Sequence, residues 1–127
     1  MSNKIQYQIE YTINTSPKVL FYRLSSPSGL SEWFADDVNI KGGNYTFIWE
    51  GNGEVAEVLS KKENSHIKFR WLEEDDEKAF FEFRIGVDEL TNDVALHITD
   101  YVEEEEKQDA IELWDTQISA LKHSLGV

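Results

Sequence analysis

His66, His97 and His123, together with Glu57 and Asp100, are the side chains of this 127-residue chain whose types suit acid–base or metal chemistry. An imidazole titrates near neutral pH and is a common zinc ligand. A carboxylate buried among apolar neighbours has a raised pKa and suits the role of general base. Position decides between these roles and none. In the segment 66–72, alternation places Ile67, Phe69 and Trp71 on one face and His66, Lys68 and Arg70 on the other. In 94–102, Val94, Leu96 and Ile98 point inward and His97, Thr99 and Tyr101 outward. His123 stands about 200° round a helix from Leu121. All three histidines therefore read as surface residues, and neither a zinc site nor a His-centred triad is expected. The chain has no Cys, which excludes thiolate metal sites, Cys nucleophiles and disulfides. Glu57 lies between Val55 and Leu59, on the parity of two apolar residues. An inward Glu57 would be a buried acid; the alternative is that Ala56 and Val58 face in. Asp100 shares the parity of Leu96 and Ile98, at a strand end near water. In "SGLSEWFADDV" (28–38), Trp33 and Phe34 are adjacent at a helix end and point in different directions. Asp36 and Asp37 mark the turn to solvent.

The elements that must position these residues follow from periodicity. Residues 4–13 put Ile5, Tyr7, Ile9, Tyr11 and Ile13 on one face of a strand. Ser16-Pro17 and Ser26-Pro27 each pair an N-cap with a proline in the first helical position, so two short helices follow, the first with Val19, Leu20 and Leu24 at helical spacing. From 37 to 102 the period is two, interrupted by Gly42-Gly43, Gly51-Asn52-Gly53, Asn64-Ser65, the acidic run 73–77 and Thr91-Asn92-Asp93. That gives five or six further strands in sequential hairpins. Tyr45, Phe47 and Trp49 share one face of the strand 45–49; Phe81, Phe83, Ile85 and Val87 share the inner face of 79–87. The last segment, 107–125, carries Ile111, Trp114, Ile118, Leu121 and Leu125 down one helical stripe, with Gly126 as its C-terminal stop. The fold class is α+β: a curved antiparallel sheet of six to seven strands gripping a long C-terminal helix, in one domain, residues 1–127.

Bulk composition narrows the partners. Net charge is −13, so nucleic acid and anionic membrane surfaces are not expected to bind. Aromatic residues make up 13% of the chain, enough for a large core or a ring-lined pocket. The start, MSNKIQYQIEYTI, has no apolar signal core, and no apolar run reaches membrane-span length, which makes a cytoplasmic location the expectation. The runs EEDDE (73–77) and EEEE (103–106) read as solvated loops or helix starts, since neither has the spaced ligands and glycine of a calcium loop.

The order of these elements resembles the START-like (Bet v 1-like, helix-grip) superfamily, in particular the branch similar to the activator of the heat-shock chaperone's ATPase. Ser16-Pro17 followed by "VLFYRLSSPSGLSEWF" resembles that branch's opening. "GNGEVAEVLSKKENSHIKFRW", with Gly53, Val55, Glu57, Val58 and Trp71, resembles its next signature. "IELWDTQISALKHSL" resembles its closing helix, except that Leu113 stands before Trp114 where glycine is usual. The resemblance implies a cavity between the sheet and the last helix, used in the superfamily for lipids, sterols, polyketides or other apolar ligands, and in a few members for cyclase or hydrolase chemistry. It also implies that Trp33, where the family's tryptophan falls, is the inward ring of the Trp33–Phe34 pair, with the other ring at the rim of the cavity.

The cavity candidates are Trp33, Phe34, Phe47, Trp49, Glu57, Phe69, Trp71, Phe81, Phe83, Leu96, Ile98, Trp114 and Ile118. Their rings either interdigitate as a filled core or wall a usable pocket; both remain open at this level. No catalytic residue, metal or cofactor is assigned, because no nucleophile–base pair is visible. Two functions follow: a non-catalytic module for an apolar small molecule, or a protein-interaction module of the co-chaperone type whose acidic surface steers a basic partner.

Overall fold

Alternating side chains through the middle of the chain build one antiparallel sheet. The computed structural model describes residues 4–127. Its elements are β1 (Lys4–Thr12), α1 (Pro17–Ser25), α2 (Pro27–Leu30), β2 (Asp37–Lys41), β3 (Asn44–Trp49), β4 (Asn52–Lys62), β5 (His66–Trp71), β6 (Phe81–Val87), β7 (Val94–Glu103) and α3 (Lys107–Leu125). The strand order is β1-β7-β6-β5-β4-β3-β2. Strands β2 to β7 are successive hairpins, whereas β1 pairs with β7. The first and second strands are thus the two edges of an open, curved sheet, and the architecture is the α+β helix-grip arrangement expected from the sequence.

The two short helices begin as their serine–proline pairs dictate. Ser16 Oγ accepts the Val19 N–H at 3.2 Å, and Ser26 Oγ accepts the Gly29 N–H at 2.9 Å. Helix α2 packs so tightly on α1 that a Cβ on Gly29 would collide with the Tyr22 carbonyl and stand 2.7 Å from the Arg23 Cα. Leu20, Phe21 and Leu24 are buried, while Val19 is exposed, because the sheet-facing stripe of α1 passes through Phe21 instead.

Helix α3 buries Trp114, Ile118 and Leu121, with Ile111 and Leu125 packed at the margins of the core. Gly126 ends it at φ 77°, and the N–H groups of Gly126 and Val127 bond the His123 and Lys122 carbonyls. Glu104, Glu105 and Glu106 form a turn just ahead of the helix, with Asp109 inside its first turn, where negative charge complements the helix dipole. Among the described residues no helix is long and apolar enough to cross a membrane.

Some local expectations change. Strand β6 starts at Phe81 rather than at residue 79, since Arg70 Nη1 draws the Glu77 and Ala79 carbonyls into a loop, each at 2.9 Å. Val87, at the far end of that strand, is exposed. Thr99 lies on the outer face yet is buried, between Gln8 and Glu82 of the neighbouring strands. On the outer face Arg84 bonds Glu82 within its own strand, and Lys68 lies over the Phe80 ring at 3.9 Å. The EEDDE run is not wholly solvated, because the Glu74 side chain is 8% exposed and bonds Lys4 at 2.6 Å.

Candidate functional site

The adjacent rings Trp33 and Phe34 both turn into the molecule, with 6% and 5% exposure. They divide the work. Trp33 lies beside Phe83, centroids 5.5 Å apart, and its Nε1 donates to the Arg23 carbonyl at 2.8 Å. Tyr45 Oη donates to the Ser25 carbonyl at 2.6 Å, so two of the orphan carbonyls at the end of α1 are satisfied by side chains. Phe34 goes deeper. It meets Phe47, Trp49, Phe81, Phe83 and Trp114 with centroids 5.1 to 5.9 Å apart. Its carbonyl is held from two sides, by Trp49 Nε1 at 2.8 Å and Gln117 Nε2 at 3.1 Å. Asp36 and Asp37 then face solvent as expected. Asp36 Oδ2 accepts the Glu50 N–H at 2.7 Å, which fixes the turn between β3 and β4.

Beyond Phe34 the rings stay in contact along the sheet, with the Trp71 centroid 4.8 Å from Phe81 and 6.1 Å from Trp49. A cleft of about 480 Å³ opens between the sheet and α3. Its sheet wall is Trp49, Glu54, Trp71 and Phe81; its helix wall is Ala110, Leu113, Trp114 and Gln117; Phe34 and Asp100 complete it. Leu113, 59% exposed, stands at its solvent side. A shallower groove of about 410 Å³ lies on the other side of Phe34, along Trp33, Glu32 and Ala120.

Asp100 is the polar group between the cleft's sheet and helix walls that is tied into both. The register of β1 on β7 pairs Tyr7 with Asp100, and α3 brings Trp114 to the same point. Tyr7 Oη donates to Asp100 Oδ2 at 3.0 Å, and Trp114 Nε1 lies 3.0 Å from Tyr7 Oη and 3.3 Å from the same carboxylate oxygen. The other oxygen accepts the Tyr101 N–H at 2.8 Å. Burial pushes the Asp100 carboxyl above the ordinary aspartate range, against the pull of these donors. Burial and the neighbouring Asp100 charge push the Tyr7 hydroxyl up as well. With its pKa raised on folding, Asp100 holds its proton more tightly in the folded chain than in the unfolded one. Its contribution to stability is complete below the unfolded-state pKa and is lost as pH rises through the higher folded value. Asp100→Asn removes the charge and keeps an acceptor for Tyr7 and Trp114, at the loss of the bond from the Tyr101 N–H. Its stability relative to the parent should fall as pH falls through the window just above the usual aspartate pKa, because the parent regains stability there. Urea unfolding at several pH values measures this.

Of the residues expected to line a cavity, Phe34, Trp49, Trp71, Phe81 and Trp114 do so. Trp33 lines only the shallow groove. Phe47, Phe69, Phe83, Leu96, Ile98 and Ile118 are almost wholly buried and form the filled half of the core. Glu57 is corrected: it pairs with Arg70 on the outer face, while Ala56, at 0% exposure, faces in beside Trp71. The small Ala56 fits between the Tyr45 and Trp71 rings, and a bulge between Val58 and Ser60 leaves Leu59 outside. The carboxylate that β4 supplies to the cleft is therefore Glu54. Asp100, weighed in the sequence but not chosen, is half-buried and lines the cleft. Gln117, Ala110 and Leu113 were not anticipated, because they flank the apolar stripe of α3 instead of lying on it. The histidines stay on the outer surface: His66 bonds Ser60 and Ser65, His97 lies 3.6 Å from Glu10, and His123 is exposed.

Comparison with known proteins agrees with this architecture. The family model of the START-like superfamily domain matches residues 1–127. The solution structure of BfR322 from Bacteroides fragilis is similar at 37% identity, over 96% of this chain and 91% of that one, with a TM-score of 0.68. The Aha1 dimer from Colwellia psychrerythraea is similar at 18% identity, over 95% and 96% of the two chains, with a TM-score of 0.80. MLL2253 from Mesorhizobium loti is similar at 18% identity, over 96% and 97%, with a TM-score of 0.78. At 18% identity the likeness is one of fold. Comparison with curated proteins gives no match. A sheet that grips its last helix, with a cleft where the two part, is carried by a sequence that fits one family model from end to end, and the chain belongs to the START-like superfamily.

Proposed function

We propose that this protein is a non-catalytic binding module that holds an apolar small molecule in the cleft between the sheet and α3. The observation that carries the reading is the cleft itself: about 480 Å³ walled by Phe34, Trp49, Trp71, Phe81 and Trp114. That is the size and lining of a small-molecule site, with few polar groups to orient the guest. Members of the superfamily bind ligands or act as co-chaperone-like modules, which is compatible with this use. Tyr7, Trp114 and the Tyr101 N–H hold the Asp100 carboxyl in one orientation, which suits a group that orients a guest.

Filling the cleft tests the proposal. Ala110 projects from α3 into the space and is only half-buried. Nile red, an uncharged apolar dye, should bind the parent protein with a saturable rise in fluorescence. Ala110→Trp should reduce that affinity at least about ten-fold, since the added ring takes the volume that the dye needs, while unfolding free energy changes by less than about 1.5 kcal/mol. Unchanged dye binding in a folded Ala110→Trp protein contradicts the assignment.

A second reading rests on charge. A net charge of −13 favours a basic protein partner, attracted over long range and released by salt. Capture from lysate that is strong at low salt, lost at high salt and indifferent to Ala110→Trp would favour it over the cleft.

A further inference from the structure

The charged groups of the cleft have one sign. Among the described residues its lining holds two carboxylates, Asp100 and Glu54, with the neutral Gln117, and no Lys, Arg or His. Among the described residues, no cation forms an ion pair with Asp100. Lys4, which shares a small adjoining recess with Asp100, is bonded to Glu74 at 2.6 Å. The carboxylate is thus half-buried among hydrogen-bond donors, and the nearby cation that acts on it, Lys4, is already bonded to Glu74, an arrangement that leaves it receptive to a closer counter-charge. Most of the remaining wall is aromatic, from Phe34, Trp49, Trp71, Phe81 and Trp114, and an aromatic face attracts a cation through its quadrupole. An anionic guest would meet Asp100 directly and the net charge of −13 on approach. A neutral guest would gain from the rings but leave Asp100 without a counter-ion.

Building on the small-molecule reading, we infer that the guest is an organic cation: an amine or quaternary ammonium group on an apolar, ring-sized body. The apolar body packs among Trp49, Trp71, Trp114 and Phe81. The nitrogen lies toward Asp100, with Glu54 adding to the field across the cleft. Trp114 then has two functions, as one wall of the cleft and as a donor that keeps the Asp100 carboxylate aimed, with Tyr7, at a fixed point.

Three probes of one shape separate charge from apolar contact: naphthylethylamine, naphthylethanol and naphthylacetate, titrated calorimetrically at neutral pH. The amine should bind at least about ten-fold tighter than the alcohol, and the acetate more weakly than the alcohol, as expected for charge-assisted and cation–π contacts in a partly dry site. In Asp100→Asn the advantage of amine over alcohol should fall to about three-fold or less, and in Glu54→Gln it should fall by about two-fold. If the alcohol or the acetate equals or exceeds the amine in the parent protein, the inference is overturned and the apolar cleft still stands. If none of the three binds, the small-molecule reading fails with it. An amine preference that survives both substitutions also overturns the inference, because the charge would then be read elsewhere. Should Asp100→Asn not fold, the three-probe order in the parent protein and the Glu54→Gln ratio still decide.

Discussion

Trp114→Ala should lower the free energy of unfolding by about 3–5 kcal/mol, the range for deleting a large buried ring. A typical domain has only about 5–15 kcal/mol in total, so the variant should be close to unfolding at moderate temperature. Three contributions are lost together. The indole lies nearly parallel to Phe34, centroids 5.9 Å apart at 16°, and edge-on to Phe83 at 5.9 Å and 84°. Aromatic pairs of this kind add about 0.5–1.5 kcal/mol beyond area burial. The Nε1 donor to Tyr7 and Asp100 also goes, leaving a buried carboxylate with one partner fewer. Trp114→Phe separates these effects: it retains a ring against Phe34 and removes the donor, at an expected cost of about 1–3 kcal/mol. Urea denaturation of both variants is the measurement. A loss within about 0.5 kcal/mol for Trp114→Ala would mean that α3 is not anchored on the sheet through this ring.

Phe34→Ala should rank second, at about 3–4 kcal/mol. Phe34 is 5% exposed and joins the two halves of the core, touching β3 rings on one side and Trp114 on the other. Its cost should fall toward the lower end of the range for deleted rings, because the void would open into the existing cleft and admit water. The two variants should not be additive. Since Phe34 and Trp114 pack on each other, the double variant should be less destabilised than the sum by about 0.5–1.5 kcal/mol. Strict additivity would show that the two rings do not share a contact.

Legibility in the sequence followed how local each signal was. The serine–proline helix starts, the α3 stripe and the Gly126 stop depend on neighbours three or four residues away, and they appear where expected. The strands around Phe47, Phe69 and Phe83 alternate cleanly, so their inward faces were readable as well. Strand β4 was not, because "VAEVL" offers apolar residues on both parities. Its orientation is set by Tyr45 on one side and Trp71 on the other, which pair across Ala56. That is why Glu57 was taken as inward and Glu54 was missed. Asp100 depended on a register between residues 93 positions apart, Tyr7 with Asp100, which no short-range pattern encodes. Composition left plug against pocket open, and the rings divide: Phe47, Phe69 and Phe83 are fully buried, while Trp49 and Trp71 are only partly buried and lie along the cleft. The side-by-side pair likewise splits, Trp33 into the filled half and Phe34 onto the boundary.

The chain's four tryptophans allow the cleft to be tested in place. Trp49, Trp71 and Trp114 line it and Trp33 does not, so the Trp33 indole is an internal control. Nitrogen-edited spectra resolve the indole N–H signals, and naphthylethanol, uncharged and apolar, serves as the probe. On titration, the signals of Trp49, Trp71 and Trp114 should shift together and saturate at one equivalent, while that of Trp33 moves least. Signals that do not move at saturating probe, or a Trp33 shift as large as the other three, would contradict a binding cleft between the sheet and α3.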